Sequence, residues 1–301
     1  MIDRTLCTWR VRSDLPLPEA VPWEGQDRPP DIEIRRGSVV GPDATNGASP
    51  RRIEVMPSGA ILYDARPHAR FLVTAETVIV DSRLPAEAPE WRVFLLGPIL
   101  GLLCYLRGTL PLHASAVRIG SHAIAIAGAA GAGKSTLAAA LIRRDHALVT
   151  DDICPVLRAD DESRALPTFP TLKLGSASLK ALGIASEGLP RLGFGEGKYL
   201  LAAPAAFDAT PIRLRRVYLM EDAPRATPER IADVRGIEVF ERLGAEIYRS
   251  EIARILYSKP ALFRKLGEAL SGLEVRRLFR RSGVTRVDEL AALVESDVVR
   301  T

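Results

Sequence analysis

The stretch Ile124-Ala125-Ile126-Ala127-Gly128-Ala129-Ala130-Gly131-Ala132-Gly133-Lys134-Ser135-Thr136 decides how this chain is read. It fits G-x-x-x-x-G-K-[ST] directly after an apolar strand pattern and directly before the helical run Leu137–Ile142. A strand feeding a glycine loop that opens a helix is the context in which this pattern cradles phosphate. Glycines let the backbone wrap a phosphate without Cβ clashes. The loop amides and the helix N-terminus supply the positive end of a dipole. Gly128, Ala129, Ala130, Gly131, Ala132, Gly133, Lys134, Ser135 and Thr136 are therefore the predicted nucleotide-binding residues. Lys134 is expected to reach the β- and γ-phosphates, and Ser135 to help hold Mg²⁺.

A phosphate loop names a ligand class but not a reaction. The next clue is Ala147-Leu148-Val149-Thr150-Asp151-Asp152, an apolar strand ending in two acids shortly after the loop's helix. In a parallel sheet the strand ends meet at one edge, which would bring both carboxylates beside the phosphates. One can hold Mg²⁺, directly or through water, and the other can take a proton from an attacking hydroxyl. The residues leave open whether Asp151 or Asp152 is the base. Upstream lies Leu110-Pro111-Leu112-His113-Ala114-Ser115-Ala116-Val117, read as a strand over Leu112–Ile119. On a strand beside the loop strand, His113 could meet the γ-phosphate or the substrate. The other histidines, His68, His122 and His146, have no such setting, and the last two read as surface residues. Lys173, Lys198 and Arg213 read as ordinary surface charges, with a phosphate or peptide contact as the alternative.

Taken together, L-H-A-S-A-V, G-A-A-G-A-G-K-S-T and H-A-L-V-T-D-D over His113–Asp152 resemble the catalytic domain of HPr kinase/phosphorylase. A similar paired-Asp strand occurs in the phosphoenolpyruvate carboxykinases, which look like distant relatives. The resemblance implies an ATP/Mg²⁺-dependent kinase of a seryl hydroxyl. It maps the nucleotide loop to Gly128–Thr136, the acid pair to Asp151 and Asp152, and the upstream histidine to His113. That family's second signature, ending in Arg-Gly, should follow closely, but Pro167–Leu174 has none. Asp233-Val234-Arg235-Gly236-Ile237 looks similar and comes much later, so no role is transferred to it. The opening Ser13-Asp14-Leu15-Pro16-Leu17-Pro18 resembles HPr-kinase-like proteins of bacterial peptide-modification gene clusters, including those for lasso peptides. That likeness points to a peptide or small-protein acceptor rather than HPr. Two other classes stay in view: a kinase of free serine or a sugar, and a non-catalytic regulator switched by ATP occupancy.

The expected fold is α/β, a phosphate-loop nucleotide-binding domain of the HPr kinase/phosphoenolpyruvate carboxykinase kind with an N-terminal β-rich module. The expected divisions are 1–88, a connecting helix at 89–108, and the kinase domain at 109–301. In the first, Leu6–Val11, Asp31–Arg35, Arg52–Met56, Gly59–Tyr63, Arg70–Thr74 and Thr77–Asp81 read as strands, with a turn at Pro57-Ser58-Gly59 and a loop at Gly41–Pro50. A kink is expected at Pro98. Leu166–Phe169 and Leu214–Met220 read as strands and Gly236–Leu270 as largely helical, with Ile237, Phe240, Leu243, Ile247, Ile252, Ile255 and Leu256 on its apolar positions. Ser186–Lys198 is glycine-rich and suits an active-site loop or lid.

Composition excludes several classes. Net charge is +4, from 41 basic and 37 acidic residues, which is not the footprint of a dedicated nucleic-acid binder. The most basic stretch, Arg276–Arg281, reads as a solvated strand edge or helix face. Cys7, Cys104 and Cys154 are odd in number and too scattered for a disulfide framework or a zinc site. The N-terminus lacks an apolar core for a signal peptide, and Val93–Leu106, broken by Gly97, Pro98 and Gly101, reads as a buried helix rather than a membrane span. A cytoplasmic setting follows. Oligomeric state is not legible, although relatives of the resembled family are often oligomers.

Overall fold

A computed structural model describes residues 1–41, 52–192, 197–223, 228–281 and 286–300. Contacts divide the chain into two units, Met1–Gly108 and Thr109–Thr301.

The first unit is β-rich. Its strands are β1 (Ile2–Leu6), β2 (Trp9–Ser13), β3 (Val21–Pro22), β4 (Ile32–Arg36), β5 (Arg52–Val55), β6 (Ile61–Ala65), β7 (Ala69–Val73) and β8 (Thr77–Asp81). They form one sheet in the order β3-β1-β2-β4-β8-β7-β6-β5. The strand expected over Leu6–Val11 is interrupted by a hairpin turn between β1 and β2, with Cys7 and Thr8 at φ 52° and 76°. Neither residue type signals that conformation. The turn at Pro57-Ser58-Gly59 is present, with Gly59 at φ 82° donating to the Met56 carbonyl at 2.8 Å. Most of the loop expected at Gly41–Pro50 lies outside the described residues.

Helix α1 (Pro89–Leu106) is apolar and long enough to cross a membrane, but 78% of it is buried inside the structure, as in a core helix. Around Pro98 it widens into a π-helical stretch, Leu95–Ile99. Proline lacks a backbone donor and crowds the carbonyl four residues back, and the wider turn absorbs both defects.

The second unit is a mixed α/β layer. Its central strands are β9 (Leu110–Leu112), β10 (Ala114–Ile119), β11 (His122–Gly128), β12 (Ala147–Thr150), β13 (Cys154–Ala159) and β14 (Glu162–Ala165). A separate ribbon, β15 (Thr171–Leu174) with β16 (Tyr199–Ala202), stands beside them. The long β17 (Ile212–Asp222), β18 (Arg230–Asp233) and β19 (Glu274–Arg280) complete the sheet. The strand expected over Leu112–Ile119 is broken at His113, because β9 pairs with β13 while β10 pairs with β11 and β12. The stretch Leu166–Phe169 is not a strand. The pairing partner of β13 is β14, joined to it by a turn with Asp160 and Asp161 at φ 50° and 59°.

Helix α2 (Lys134–Ile142) lies on the sheet with Leu137, Ala138, Ala139, Ala140 and Leu141 all buried. A helix apolar on every side needs cover on every side. Helix α3 (Ser176–Ala181), through Leu179, belongs to the same core. The region expected to be largely helical over Gly236–Leu270 is three helices, α4 (Ile237–Ala245), α5 (Ser250–Leu256) and α6 (Lys259–Leu270). Arg249 at φ 47° breaks the first pair, and Ser258 caps α6 ahead of Pro260. Of the expected apolar positions, Leu243, Ile247 and Ile252 are buried, whereas Ile237 and Ile255 are exposed. The last helix, α7 (Val287–Val299), packs Leu290, Ala291 and Val294 into the core with α2.

The basic run Arg276–Arg281 is not a solvated edge, since β19 lies between β17 and β18. Each of its guanidiniums meets a carboxylate: Arg276 with Asp297, Arg277 with Glu238, Arg280 with Asp222 and Arg281 with Glu229. Deeper in the unit, Arg216 is 1% exposed and binds Glu274 and Asp297, tying β17 to β19 and to the end of α7. It also caps the Asp297 carbonyl at 2.9 Å. Removing one partner of a buried ion pair strands the others, at about 3–5 kcal/mol. Arg216→Ala is therefore expected to lower unfolding free energy by about 3 kcal/mol, read from the urea midpoint. A loss below about 1 kcal/mol would mean the cluster is mostly solvated.

Candidate active site

The glycine loop is shaped by its neighbours. Strand β11 runs parallel to β17 and ends at Gly128, opposite Met220. Gly128 has φ 140°, and a Cβ there would lie 2.8 Å from the Met220 carbonyl oxygen, so only glycine fits. Gly131 and Gly133 follow at φ 79° and 97°, turning the chain into α2. No side chain caps that helix at Gly133. The Lys134 Nζ folds back and donates to the carbonyls of Gly128 and Ala129 at 2.7 and 3.2 Å. Its burial pulls the ammonium below the ordinary lysine value, against the opposing pull of Glu246, Asp152 and Asp151. Thr136 donates its hydroxyl to Ser178 Oγ at 2.7 Å.

The acids reach the loop by a route other than a purely parallel sheet. Both β11 and β12 flank β10 and run antiparallel to it, so they point the same way. Their C-terminal ends emerge together, which puts Gly128 and Asp151 at one edge. Asp151 is fully buried and saturated. Its Oδ1 accepts from Ser115 Oγ at 2.5 Å and Ser135 Oγ at 2.8 Å, and its Oδ2 accepts from the Lys173 amide at 2.8 Å.

Asp152 is held differently. It has φ 71°, a left-handed conformation uncommon outside glycine. Its carboxylate lies 2.7 Å from Lys173 Nζ and 3.4 Å from His113 Nδ1. Burial alone would raise its pKa, yet the charge and hydrogen bond of Lys173, then His113 and Lys198, hold it below the ordinary aspartate value. His113 Nδ1 also lies 3.1 Å from the Asp152 carbonyl, and its own amide donates to the Glu246 carbonyl at 2.7 Å. Glu246 in turn accepts from the Gly128 amide through Oε2 at 3.1 Å. The His113 ring packs beside buried Tyr248, whose hydroxyl is pushed up to about 12 by burial and by Asp152.

Lys134, Ser135, His113, Asp151 and Asp152 thus share one edge of the sheet. A cleft of about 590 Å³ opens beside the glycine loop, lined by Gly128, Ala130, Glu221, Arg242, Glu246 and Arg280 among others. The open turns at Gly131 and Gly133, the uncapped helix start and the lysine folded over the loop suit a polyphosphate. Among the described residues no cluster of three or more His, Cys, Asp or Glu side chains could hold a metal. A Mg²⁺ that shares phosphate oxygens needs only one or two carboxylates. With Asp151 already committed to three donors, Ser135 and Asp151 would hold such an ion together.

Four further residues meet the site: Lys173, Ser115, Glu246 and Tyr248. Lys173, which reads from the sequence as a surface charge or a phosphate or peptide contact, pairs with Asp152. In β15 it falls between Leu172 and Leu174, both buried, and that alternation could have marked its side as distinct. Ser115 stands two residues after His113, again the strand period. Glu246 and Tyr248 follow α4 and are distant in sequence from every motif. By contrast, Arg213 is an exposed charge paired with Glu162 at 3.1 Å. His146 is partly buried and meets Glu295 at 2.8 Å, rather than lying free on the surface. Of the glycine-rich segment, residues 193–196 lie outside the described residues; its flanks pair where the Leu192 amide meets the Lys198 carbonyl at 2.8 Å.

No protein-family model matches the chain, and no curated protein does. Among solved structures, it is similar to the HPr(Ser) kinase/phosphatase of Coxiella burnetii, at 17% identity over 63% of this chain and 97% of that one, with a TM-score of 0.33.

Proposed function

We propose that this protein is an ATP- and Mg²⁺-dependent kinase that phosphorylates a seryl hydroxyl on a peptide or small protein. The observation that carries the reading is the unequal state of the two neighbouring acids. Asp151 spends its oxygens on two hydroxyls and an amide, one hydroxyl being that of Ser135 in the loop. Asp152, one residue on, keeps a carboxylate held ionised by a lysine and a histidine. Nucleotide and Mg²⁺ supply the transferable phosphoryl group and neutralise its charge. Lys134 exchanges its loop carbonyls for phosphate oxygens. Asp151 orients Ser135 toward the metal side. Asp152 accepts the proton of the incoming hydroxyl as its oxygen bonds to the γ-phosphorus and the bond from that phosphorus to the β,γ-bridging oxygen breaks, releasing ADP. His113, anchored through its amide on Glu246, keeps Asp152 from turning away.

The test is incubation of the purified chain with γ-labelled ATP, Mg²⁺ and three acceptors: a serine-bearing precursor peptide encoded beside its gene, free serine, and a sugar. Label is expected on the peptide serine alone, and to vanish with excess chelator. Label on free serine or the sugar would replace the acceptor class. Tight ATP binding with no acceptor labelled would replace the kinase with a nucleotide-switched regulator.

A further inference from the structure

Among the described residues, Lys173 is the one whose hydrogen bonds reach both carboxylates. Its main-chain amide donates to Asp151 Oδ2 at 2.8 Å, and its side-chain Nζ donates to Asp152 Oδ2 at 2.7 Å. It comes from β15, a strand outside the main sheet that pairs only with β16 among the described residues, with Lys173 opposite Leu200. The acids hang from the end of β12, where the chain leaves regular pairing and Asp152 adopts φ 71°. Consecutive carboxylates on such a turn have no intrinsic reason to hold a fixed separation. Like charges so close repel, and a left-handed residue is retained only when its surroundings over-determine it. The ribbon supplies that constraint from one residue, with the backbone serving one acid and the side chain the other.

We propose that Lys173 is a positioning residue for phosphoryl transfer, setting the aim of Asp152 while its backbone keeps Asp151 in place. The inference rests on the kinase reading above and deepens it. It makes a division that an ordinary ion pair would not. Trimming the side chain frees Asp152 alone. The amide to Asp151, the Ser135 contact and the Lys134 loop all remain. Chemistry should therefore suffer while nucleotide capture does not. A base must stand within about 2.6–3.2 Å of the proton it takes, and a misplacement of about 1 Å costs roughly 10²-fold.

The experiment measures kcat and the KM for ATP in wild type, K173M and K173R, with K134A and D152N in parallel. K173M is expected to lose about 10²-fold in kcat with the KM for ATP within about threefold of wild type. K173R, which restores a donor and a charge, is expected to recover at least about tenfold of that loss. The double variant K173M D152N should be no slower than D152N, because Lys173 acts through that carboxylate. If K173M fails to fold, K173Q carries the same comparison. Full kcat in K173M (or K173Q) beside an inactive D152N overturns the role of Lys173 and leaves the kinase reading standing. A large rise in the KM for ATP with unchanged kcat also overturns it, making Lys173 a nucleotide contact. Full activity in K134A and D152N overturns the kinase reading itself.

Discussion

Lys134→Ala is expected to reduce phosphoryl transfer by about 10²–10³-fold, the usual loss when one preorganised charge contact to a transferring group is deleted. Nucleotide binding should weaken with it, because the ammonium serves ground state and transition state alike. The structure says why no neighbour substitutes. Lys134 is 7% exposed and is wrapped by the loop it serves, with its Nζ on the carbonyls of Gly128 and Ala129. Lys198, whose charge also reaches it, is exposed just ahead of β16, and Lys173 is held by Asp152 at 2.7 Å. Arginine should not rescue, since a planar fork does not fit a point-charge site between two carbonyls. The fold should survive. Alanine is the best helix former for the first turn of α2, and removing a buried ammonium relieves its desolvation. The urea midpoint should match wild type, while labelled transfer collapses and titration calorimetry reports a weaker Kd. Transfer at the wild-type rate would remove the loop from the mechanism.

How much of this was legible beforehand follows the physics of each signal. The loop is written in contiguous residues, since its glycines answer to local φ and to one close approach by Met220. Strand β12 and its two acids were legible for the same reason: an apolar run stops where the chain reaches the cleft. The gathering of loop and acids at one edge was also reachable, although the inferred route was a parallel sheet and the actual one passes through antiparallel β10. What stayed hidden depends on pairing between distant segments. His113 looks like a strand residue until β9 and β10 are seen to join different partners. Cys7-Thr8 carries no turn residue, and its left-handed backbone is imposed by the hairpin it closes. Lys173 looks like any charged residue on a short strand, because nothing local says that β15 docks against the end of β12. Glu246 and Tyr248 reach the site through backbone pairing beside β9, where Ile247 bridges to Leu112 and the Tyr248 amide meets the Pro111 carbonyl.

Asp152→Asn should produce the cleanest separation of binding from chemistry. The substitution keeps size and shape, and asparagine tolerates the left-handed backbone at this position better than most residues. Its amide oxygen can still face Lys173 Nζ, so the turn and the ribbon contact persist. What it cannot do is take a proton. A general base contributes about 10²–10⁴-fold, and transfer should fall by that factor while ATP binding stays at the wild-type Kd. Asp151→Asn should behave in the opposite sense. All three groups that meet Asp151 are donors, two of them on one oxygen. An amide nitrogen facing the Lys173 N–H leaves a donor against a donor at a fully buried position, a penalty of about 1–3 kcal/mol, and one facing the serines requires their hydroxyls to turn from donors to acceptors. The strain passes to Ser135 and hence to the loop, so that variant should lose ATP affinity and stability along with activity. Should D151N keep ATP binding and stability but lose transfer, while D152N transfers normally, the two acids exchange roles. The carboxylate would then have to shed a hydroxyl to act, and Ser135, with the longer of the two hydroxyl bonds at 2.8 Å, would be the first candidate to release it.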